Sequence, residues 1–361
     1  LSCAQLFNSI DEAKNASHCE LEIKVCFGCG HIWNSAYKLE TQNFYNDDYY
    51  SSVTESPQGR DYQDLLAKDL SLFLKTERMG VVEIGCGDGY FLSALEADCA
   101  TAVGFEPSST YEVASKRSRI EVKNEVFKAE YMENNLKTTD LIVMRHVLEH
   151  IPTASNMLSG LRDQFRKIEK AAYLFVEVPN IVHSLENNLF FDFYHDHVQY
   201  FSLLSLKVLG YNAGWELSHE IEGSDEFLRV VFTPCCRIRD DHDTGWDLYE
   251  HETHPTTTEA IAAALNFAQS FTAWRDDLKK ILQSIKDNGG RIAVWGAGAR
   301  GLALLSGLEL SEGFFEYAID SDKNKYGKYL PATYLEVLPP EQLGADPVDC
   351  VLVTSYTYFE E

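Results

Sequence analysis

The sequence predicts an α/β protein built on a doubly wound parallel sheet, with smaller units on either side. Three observations lead to this fold class. Short runs of β-branched and aromatic residues alternate with amphipathic stretches between residues 61 and 235. A glycine-rich turn follows an apolar run at two places, after Ile84 and after Trp295. The 361 residues exceed one average domain and allow two to three.

The predicted elements divide the chain into four segments. Residues 1–60 form a small N-terminal unit, 61–235 the main α/β domain, 236–289 a linker and long helix, and 290–361 a second Rossmann-like fold. The main domain contains apolar runs with the length and composition of strands, at 80–84, 102–105, 141–144 and 173–178.

A long amphipathic helix is predicted over 259–287. The polar stretch 237–258 ahead of it is typical of a linker, and Gly289 and Gly290 end the helix. A new strand is expected at 291–295. The helix prediction rests on apolar residues at helical spacing, which are Ile261, Leu265, Ala268, Phe271, Trp274, Leu278, Ile281 and Ile285.

Composition indicates a folded, acidic protein. The 31 Lys and Arg residues against 56 Asp and Glu residues leave a formal charge of −25, which disfavours nucleic acid and anionic membrane surfaces as partners. No apolar run approaches the roughly 18 residues of a membrane span. Nine cysteines, an odd number, favour a reducing cytoplasmic setting over a disulfide framework. The chain begins with Leu1 rather than Met, and we expect a fragment.

The first motif with chemical meaning is a glycine-rich turn that carries acidic residues. Glu83 precedes the turn glycines Gly85, Gly87 and Gly89, and the next acid at a strand end, Glu106, follows about 20 residues on. Such glycines allow a tight turn and close approach to a ligand, and the distal carboxylate can accept both hydroxyls of a ribose. Asp88 inside the turn repels a pyrophosphate but tolerates a cationic sulfonium. The alternative is a structural strand-to-helix turn.

This pattern resembles motif I of the class I S-adenosylmethionine (SAM)-dependent methyltransferases, and residues 140–152 resemble their fourth strand and following helix. The resemblance implies SAM as cofactor and a class I methyltransferase fold. By it, Glu83 lies near the methionine end of SAM, and Glu106 binds the ribose. Glu130 and Tyr131 are expected near adenine. Arg145 is expected either on the SAM carboxylate or as a solvated charge at the strand end.

A second motif combines an acid with three groups that can exchange protons. Tyr194, His195, Asp196 and His197 are consecutive. A histidine with a pKa near neutrality suits removal of a proton beside a carbonyl. In an extended segment Tyr194 and Asp196 share one side, and the two histidines share the other. The alternatives are a surface aromatic loop and a pair of metal ligands.

Residues 194–202 resemble the Tyr-His-Glu-His-x-x-Tyr-Phe-Ser segment of the deoxysugar C-methyltransferases, which act on nucleotide-linked keto sugars. The segments 177–180 and 204–215 resemble their neighbouring strand end and helix. The resemblance implies that His197 removes a proton α to a ketone and that the enolate takes the methyl group of SAM. It implies that His150 and Tyr194 stabilise the enolate oxygen.

The same resemblance assigns further residues to the site. Asp196 is expected to orient a histidine ring through a charge-assisted hydrogen bond, and His195 is a further candidate catalytic residue. Either Tyr49 or Tyr50 aligns with a tyrosine of the family's active site. Asp196 replaces the family's Glu and is one methylene shorter, and a displacement of about 1 Å can cost ~100-fold in rate. The site geometry is therefore expected to differ from that of the sugar enzymes.

The N-terminal unit contains one Cys-x-x-Cys pair, Cys26 and Cys29, which can present two thiolates to one zinc ion. The resemblance implies a structural zinc domain with two such pairs, of which this is the second. Cys3 and Cys19 are available as further ligands, but neither has the spacing of a knuckle. The zinc site is therefore expected to be incomplete in this chain, and the alternative is two unligated cysteines.

The C-terminal unit carries Gly296, Gly298 and Gly301, with Asp320 about 20 residues further on, a pattern typical of NAD binding. Residues 319–331 resemble the C-terminal domain of the C-methyltransferases, which helps to form the substrate cleft, so we expect no NAD. The sequence thus predicts a SAM-dependent C-methyltransferase that acts on a nucleotide-linked keto sugar. The alternative functions are those of an O- or N-methyltransferase, a non-catalytic sugar-nucleotide-binding module and an NAD-dependent oxidoreductase. The oligomeric state stays open.

Overall fold

The computed structural model describes residues 6–16, 19–38, 57–74, 78–95, 99–128, 130–135, 137–235 and 246–354. Among these residues, no helix has the length and apolar character needed to cross a membrane. The N-terminal unit has a short helix, whose Ser9 cap accepts a hydrogen bond from the amide of Glu12, and a β-hairpin. These elements are α1 (Ile10–Lys14), β1 (Ile23–Val25) and β2 (Ile32–Asn34).

The main domain is built on a seven-stranded sheet with the order β5-β4-β3-β6-β7-β10-β9. The first five strands are parallel, whereas β10 is antiparallel to both β7 and β9. The predicted strands lie within β3, β4, β6 and β7. The strands of the domain are β3 (Met79–Ile84), β4 (Cys99–Phe105), β5 (Glu121–Lys123), β6 (Leu141–Arg145), β7 (Tyr173–Pro179), β8 (Gln199–Tyr200), β9 (Trp215–Glu220) and β10 (Phe227–Pro234).

Helices cover both faces of this sheet, which confirms the doubly wound architecture. On one face Leu158 and Leu161 belong to the same core cluster as Ile142, and on the other Leu66 belongs to the same cluster as Val143. The neighbouring residues Ile142 and Val143 of β6 thus lie in the cores on opposite faces of the sheet, because successive side chains of a strand point to opposite faces. The helices are α2 (Pro57–Leu74), α3 (Tyr90–Leu95), α4 (Tyr111–Ala114), α5 (Glu130–Asn135), α6 (Ala154–Lys167), α7 (Ile181–Glu186) and α8 (Leu203–Asn212).

The C-terminal unit follows a helix that is longer than predicted. Helix α9 begins at Trp246 rather than at residue 259, so more than half of the expected linker, 237–258, is helical. The apolar repeat that predicts the helix begins only at Ile261, which explains the difference. The remaining elements are α9 (Trp246–Asp287), β11 (Ile292–Trp295), α10 (Ala299–Leu308), β12 (Ala318–Ile319), β13 (Val337–Leu338), α11 (Gln342–Ala345) and β14 (Cys350–Val353).

The four C-terminal strands form a parallel sheet with the order β13-β12-β11-β14, which confirms the predicted Rossmann-like fold. Helix α9 packs Leu282 into the core of this unit and Ala263 against a second cluster around α7. It therefore joins the C-terminal sheet to the main domain.

The segment 190–200 is held by both flanking units. Strand β8 pairs with β2 of the N-terminal hairpin, so that Ile32 lies opposite Tyr200. At its other end the ring of Phe190 packs 4.9 Å from Trp274 and is part of the C-terminal core. This segment contains the predicted Tyr-His-Asp-His motif, and its position therefore depends on all three units.

Candidate active site

A cavity of about 1200 Å³ opens at the carboxyl ends of β3, β4 and β6. The order of strands reverses between β3 and β6, and ligands of doubly wound sheets bind at such a switch point. The segment 192–197 and Arg300 of the C-terminal unit complete the wall. The predicted site residues that line the cavity are Glu83, Gly85, Gly87, Glu106, Arg145, His150, Tyr194 and His197.

The three glycines of the first motif have different roles. All have positive φ values, which favour glycine, at 71° for Gly85, 54° for Gly87 and 71° for Gly89. A Cβ on Gly85 would meet Val147 at 2.4 Å, and one on Gly89 would meet Ile120 at 2.8 Å. A Cβ on Gly87 would meet no atom within 4 Å. Gly87 therefore leaves open space beside the turn, whereas Gly89 serves packing and does not line the cavity.

Glu106 holds the glycine turn in place. One of its carboxylate oxygens accepts a hydrogen bond from the Gly87 amide at 2.9 Å, and the other accepts one from the Ser108 amide at 2.8 Å. The side chain is buried and lines the cavity. A carboxylate has about four lone-pair sites, so Glu106 can still accept bonds from a diol.

Glu83 is the most buried carboxylate at the turn, with 1% of its surface exposed. Burial raises its pKa to about 8, despite the opposing charge of Arg145. Its Oε2 atom has no hydrogen-bond partner among the described residues. A buried acceptor without a partner at the cavity wall fits a cationic or hydrogen-bond-donating ligand group.

Arg145 is not a solvated charge, so that expectation is wrong. Its side chain is 10% exposed and donates two hydrogen bonds to Glu177, at 3.0 and 3.1 Å. Glu177 also accepts from the hydroxyl of Tyr62 at 2.6 Å and lies 3.0 Å from Nε2 of His146. Glu177 thus joins β6, β7 and α2 beneath the cavity. In the sequence, Glu177 is visible only as part of a resemblance, and no local pattern indicates this role.

The expected adenine contacts need a correction. Tyr131 does not line the cavity, because its ring packs edge-on against Phe105 at 4.7 Å. Glu130 is the first residue of α5, and its side chain lies outside the described part of the chain. Strand β5 ends at Lys123, so the residues beside the cavity come earlier in the sequence, at Val126 and Phe127.

The cavity brings together three groups that the sequence predicts as catalytic. The ring of His197 lies 4.7 Å from that of His150 and 4.8 Å from that of Tyr194. His197 is 6% exposed, and burial lowers its pKa to about 4. Its imidazole is therefore neutral at pH 7 and able to accept a proton.

The segment 194–197 is bent and not extended, so the expected distribution of its side chains over two sides is wrong. Tyr194 and His197, predicted on opposite sides, both line the cavity, and a bend at residues 195–196 accounts for this. Tyr200 stabilises the bend, because its hydroxyl bonds both the amide and the carbonyl of Tyr194. His195 points elsewhere and stacks on Tyr37 at 6.1 Å.

Asp196 lies beside His150. Nδ1 of His150 is 3.1 Å from the Asp196 carbonyl and 3.7 Å from its carboxylate. The expected carboxylate–histidine contact is therefore made to a histidine from a different part of the chain. Neither His195 nor Asp196 lines the cavity, so a direct role at the reacting atoms is not supported for either.

Two cavity residues were missed from the sequence, Glu149 and Arg300. Glu149, His150 and His197 offer atoms within 4.8 Å of one another, close enough to hold a metal ion or to exchange protons. Arg300 donates to Asp192 at 2.8 Å and also binds Glu226, and Asp192 accepts from Ser184. Arg300 lies in the second glycine motif, between Gly298 and Gly301. A positive charge inside this motif was the feature of the sequence that could have indicated a site residue.

The N-terminal hairpin has the shape of a knuckle. The Cys26 amide donates to the His31 carbonyl, and the Gly30 amide donates to the Cys26 carbonyl, both at 2.8 Å. Hydrogen bonds from the Cys29 backbone lower the pKa of Cys26. Both thiols are outside disulfides and are the metal-binding candidates of this hairpin. The predictions for Tyr49, Tyr50 and Cys3 fall outside the described residues.

Comparisons with known proteins agree with this geometry. Residues 59–220 match the family described as a methyltransferase domain, and residues 239–361 match the C-methyltransferase C-terminal domain. C-methyltransferase NovU from Streptomyces niveus is 25% identical over 310 residues, which cover 80% of this chain and 70% of that protein.

Among solved structures, the PH0226 protein from Pyrococcus horikoshii is 16% identical with a TM-score of 0.41, over 55% of this chain and 99% of that one. Magnesium protoporphyrin IX methyltransferase from Synechocystis is 14% identical with a TM-score of 0.38, over 54% of this chain and 92% of that one.

The sheet order and the matched domain define the chain as a class I SAM-dependent methyltransferase, for which SAM is the methyl donor. The second match adds a more specific feature: in this chain the methyltransferase domain is followed by a C-methyltransferase C-terminal domain.

Proposed function

We propose that the protein methylates a carbon atom next to the ketone of a nucleotide-linked deoxysugar, with His197 as the base. The observation that carries this proposal is the position of His197. It is a neutral, buried imidazole in the wall of the cavity that the glycine turn also lines. The resemblance to sugar C-methyltransferases supports the substrate class, and the relative NovU is itself described as a C-methyltransferase.

The residues at the glycine turn fit SAM. The unpaired Oε2 of Glu83 suits the ammonium group of the methionine end, and Gly87 leaves room for the ligand beside the turn. Glu106 retains lone pairs for a ribose diol, and Val126 and Phe127 offer apolar surface for a base. When bound there, SAM supplies an electrophilic methyl group on a cationic sulfur.

The histidine cluster then performs the proton chemistry. His197 takes the proton from the carbon next to the ketone, and the electron pair of that C–H bond becomes the enolate. Tyr194 lies within 5 Å of the His197 ring and is placed to donate a hydrogen bond to the enolate oxygen as its charge grows. His150 lies equally close, but its Nδ1–H faces the Asp196 carbonyl, so it donates to the enolate from Nε2 when its ring carries both protons. His197 afterwards releases the proton to solvent.

Incubation of a panel of nucleotide-linked keto sugars with SAM in deuterated water tests this function. We expect loss of the α-proton and a new carbon-bound methyl group in the same product, detected by NMR and mass spectrometry. A methyl group found on oxygen or nitrogen, with the α-proton retained, would contradict the proposal and favour an O- or N-methyltransferase. Turnover that requires NAD would contradict it equally.

We also propose that Cys26 and Cys29 supply two thiolates of a structural zinc site. The knuckle-shaped turn between β1 and β2 supports this assignment. Zinc measured by mass spectrometry of the native protein is expected to fall when Cys26→Ser and Cys29→Ser are combined, and thermal stability is expected to fall with it. Cys350→Ser, in the C-terminal sheet, is the control. Equal zinc content in all three proteins would refute the site.

A further inference from the structure

Glu149 is a buried carboxylate that the chemistry above does not use. It lies in the turn Leu148–His150 that follows β6, and 1% of its surface is exposed. Neither of its carboxylate oxygens has a hydrogen-bond partner among the described residues. His146 forms an ion pair with Glu149, but its Nδ1 lies 3.7 Å from Oε1, too far for a hydrogen bond. Burial of a carboxylate without a hydrogen bond is costly, so a donor is to be expected close by.

The facing group is His197. Its Nδ1 atom is also buried and has no hydrogen-bond partner among the described residues. A ligand atom of Glu149 and one of His197 lie within 4.8 Å of each other, a gap that one water molecule or a small closure can bridge. The backbone holds the two together, because the Val198 amide donates to the Glu149 carbonyl at 2.9 Å.

We infer that Glu149 is the positioning residue of the base: it accepts a hydrogen bond from Nδ1–H of His197, directly or through one water. This tautomer leaves the lone pair of Nε2 available to the substrate in the cavity. The carboxylate also stabilises the imidazolium that forms when His197 takes the α-proton, as in other carboxylate–histidine pairs. The inference rests on the proposed role of His197.

The charges around the pair agree with this role. Burial raises the pKa of Glu149, but His146 at 3.7 Å, together with His150 and His197, outweighs that effect and holds the pKa below its usual range. Glu149 is therefore an anion at neutral pH. Asp196, which the sequence favoured as the orienting acid, contacts His150 instead. The groups that face His197 are Glu149, His150, Tyr194, Asp196, Tyr200 and, at longer range, His146.

The test compares Glu149→Gln with wild type and with Glu216→Gln, an exposed glutamate of β9. Gln keeps the shape and an acceptor oxygen but removes the charge. We expect kcat for C-methylation to fall by about 100-fold, with KM for the keto sugar and the Kd of S-adenosylhomocysteine unchanged. Glu149→Asp is expected to recover part of the loss. Exchange of the α-proton into deuterated water is expected to slow in parallel.

Nitrogen NMR of His197 in the wild-type protein gives a second, independent readout. We expect a neutral ring protonated at Nδ1, and a shift towards the Nε2-protonated form in Glu149→Gln. An unchanged kcat or an Nε2-protonated ring in the wild type would overturn the inference. Loss of activity with EDTA in the protein that carries Cys26→Ser and Cys29→Ser, restored by added Zn²⁺ or Mn²⁺, would overturn it too, since the histidine cluster would then be a metal site.

The outcomes also separate this inference from the proposed function. If the wild-type protein forms no carbon-bound methyl product with any keto sugar, the proposed function itself fails. If the wild type forms the product and Glu149→Gln forms it as fast, only the role of Glu149 fails.

Discussion

Replacement of His197 by Ala is expected to lower kcat for C-methylation by about 10²- to 10⁴-fold, the range that general bases contribute. The reason is that the cavity then lacks its neutral imidazole, while the glycine turn and Glu106 stay unchanged. Binding of S-adenosylhomocysteine, measured by calorimetry, is therefore expected to match that of the wild type. Exchange of the substrate α-proton into deuterated water is expected to be lost together with methyl transfer.

His219→Ala is the matched control. His219 is an exposed histidine of β9 that stacks on Phe73 at 4.4 Å, away from the cavity. We expect this variant to keep its activity. A His197→Ala protein that methylates at the wild-type rate would rule out His197 as the base.

The pH dependence of the same reaction follows from the environment of His197. Burial lowers the pKa of His197 to about 4, so the proton-accepting form is present above that pH and is lost only as the pH falls through about 4. An acid limb of kcat/KM near pH 6.5 would instead indicate a base with an ordinary histidine pKa.

The second large effect concerns stability. Glu177→Ala is expected to lower the free energy of unfolding by about 3–5 kcal/mol, because it removes one partner of a buried ion pair. Glu177 is fully buried, and its loss leaves Arg145, with 10% of its side chain exposed, without its carboxylate. The hydroxyl of Tyr62 loses its acceptor in the same step. Urea denaturation followed by circular dichroism measures the change.

The free energy of unfolding is also expected to fall at both acidic and alkaline pH. Burial raises the pKa of Glu177, but Arg145 and His146 outweigh it and lower the pKa to about 2. This stabilising contribution is present above the unfolded pKa of about 4.5 and is lost as the pH falls towards 2. Burial lowers the pKa of His146, but Glu149 and Glu177 outweigh it and raise the pKa to about 9. That contribution is present below pH 6.5 and is lost as the pH rises through 9.

Glu112→Ala, an exposed glutamate in the first turn of α4, is the control for the stability measurement. We expect it to change the free energy of unfolding by less than about 0.5 kcal/mol. If Glu177→Ala changed it no more than this control does, the network around Glu177 would not be a determinant of stability.

Local features of the sequence predicted the parts of the site that depend on neighbouring residues. The glycine turn with Glu83 and the carboxylate of Glu106 were recognised because their spacing along the chain matches their spacing at a switch point. Tyr131, which is expected near adenine, does not line the cavity, because α5 turns its ring towards Phe105. The edge strand β5 has only three residues, Glu121–Lys123, and offers too little pattern to predict where the residues after it lie.

The histidine segment illustrates the opposite case. An extended chain would separate Tyr194 from His197, but the bend stabilised by Tyr200 brings both into the cavity. The partner of Asp196 and the neighbour of His197 both come from the turn after β6, some 50 residues earlier in the chain. No spacing rule links residues across that distance.

The sequence by itself determined the doubly wound fold, the second Rossmann-like unit and the glycine turn, because these follow from periodicity and from residues that are close along the chain. Only the tertiary structure decided which acid faces which histidine, that Arg145 is buried against Glu177, and that Arg300 of the last unit reaches the cavity of the main one. These contacts depend on the direction of side chains from separate elements, and that direction is set when the elements pack together.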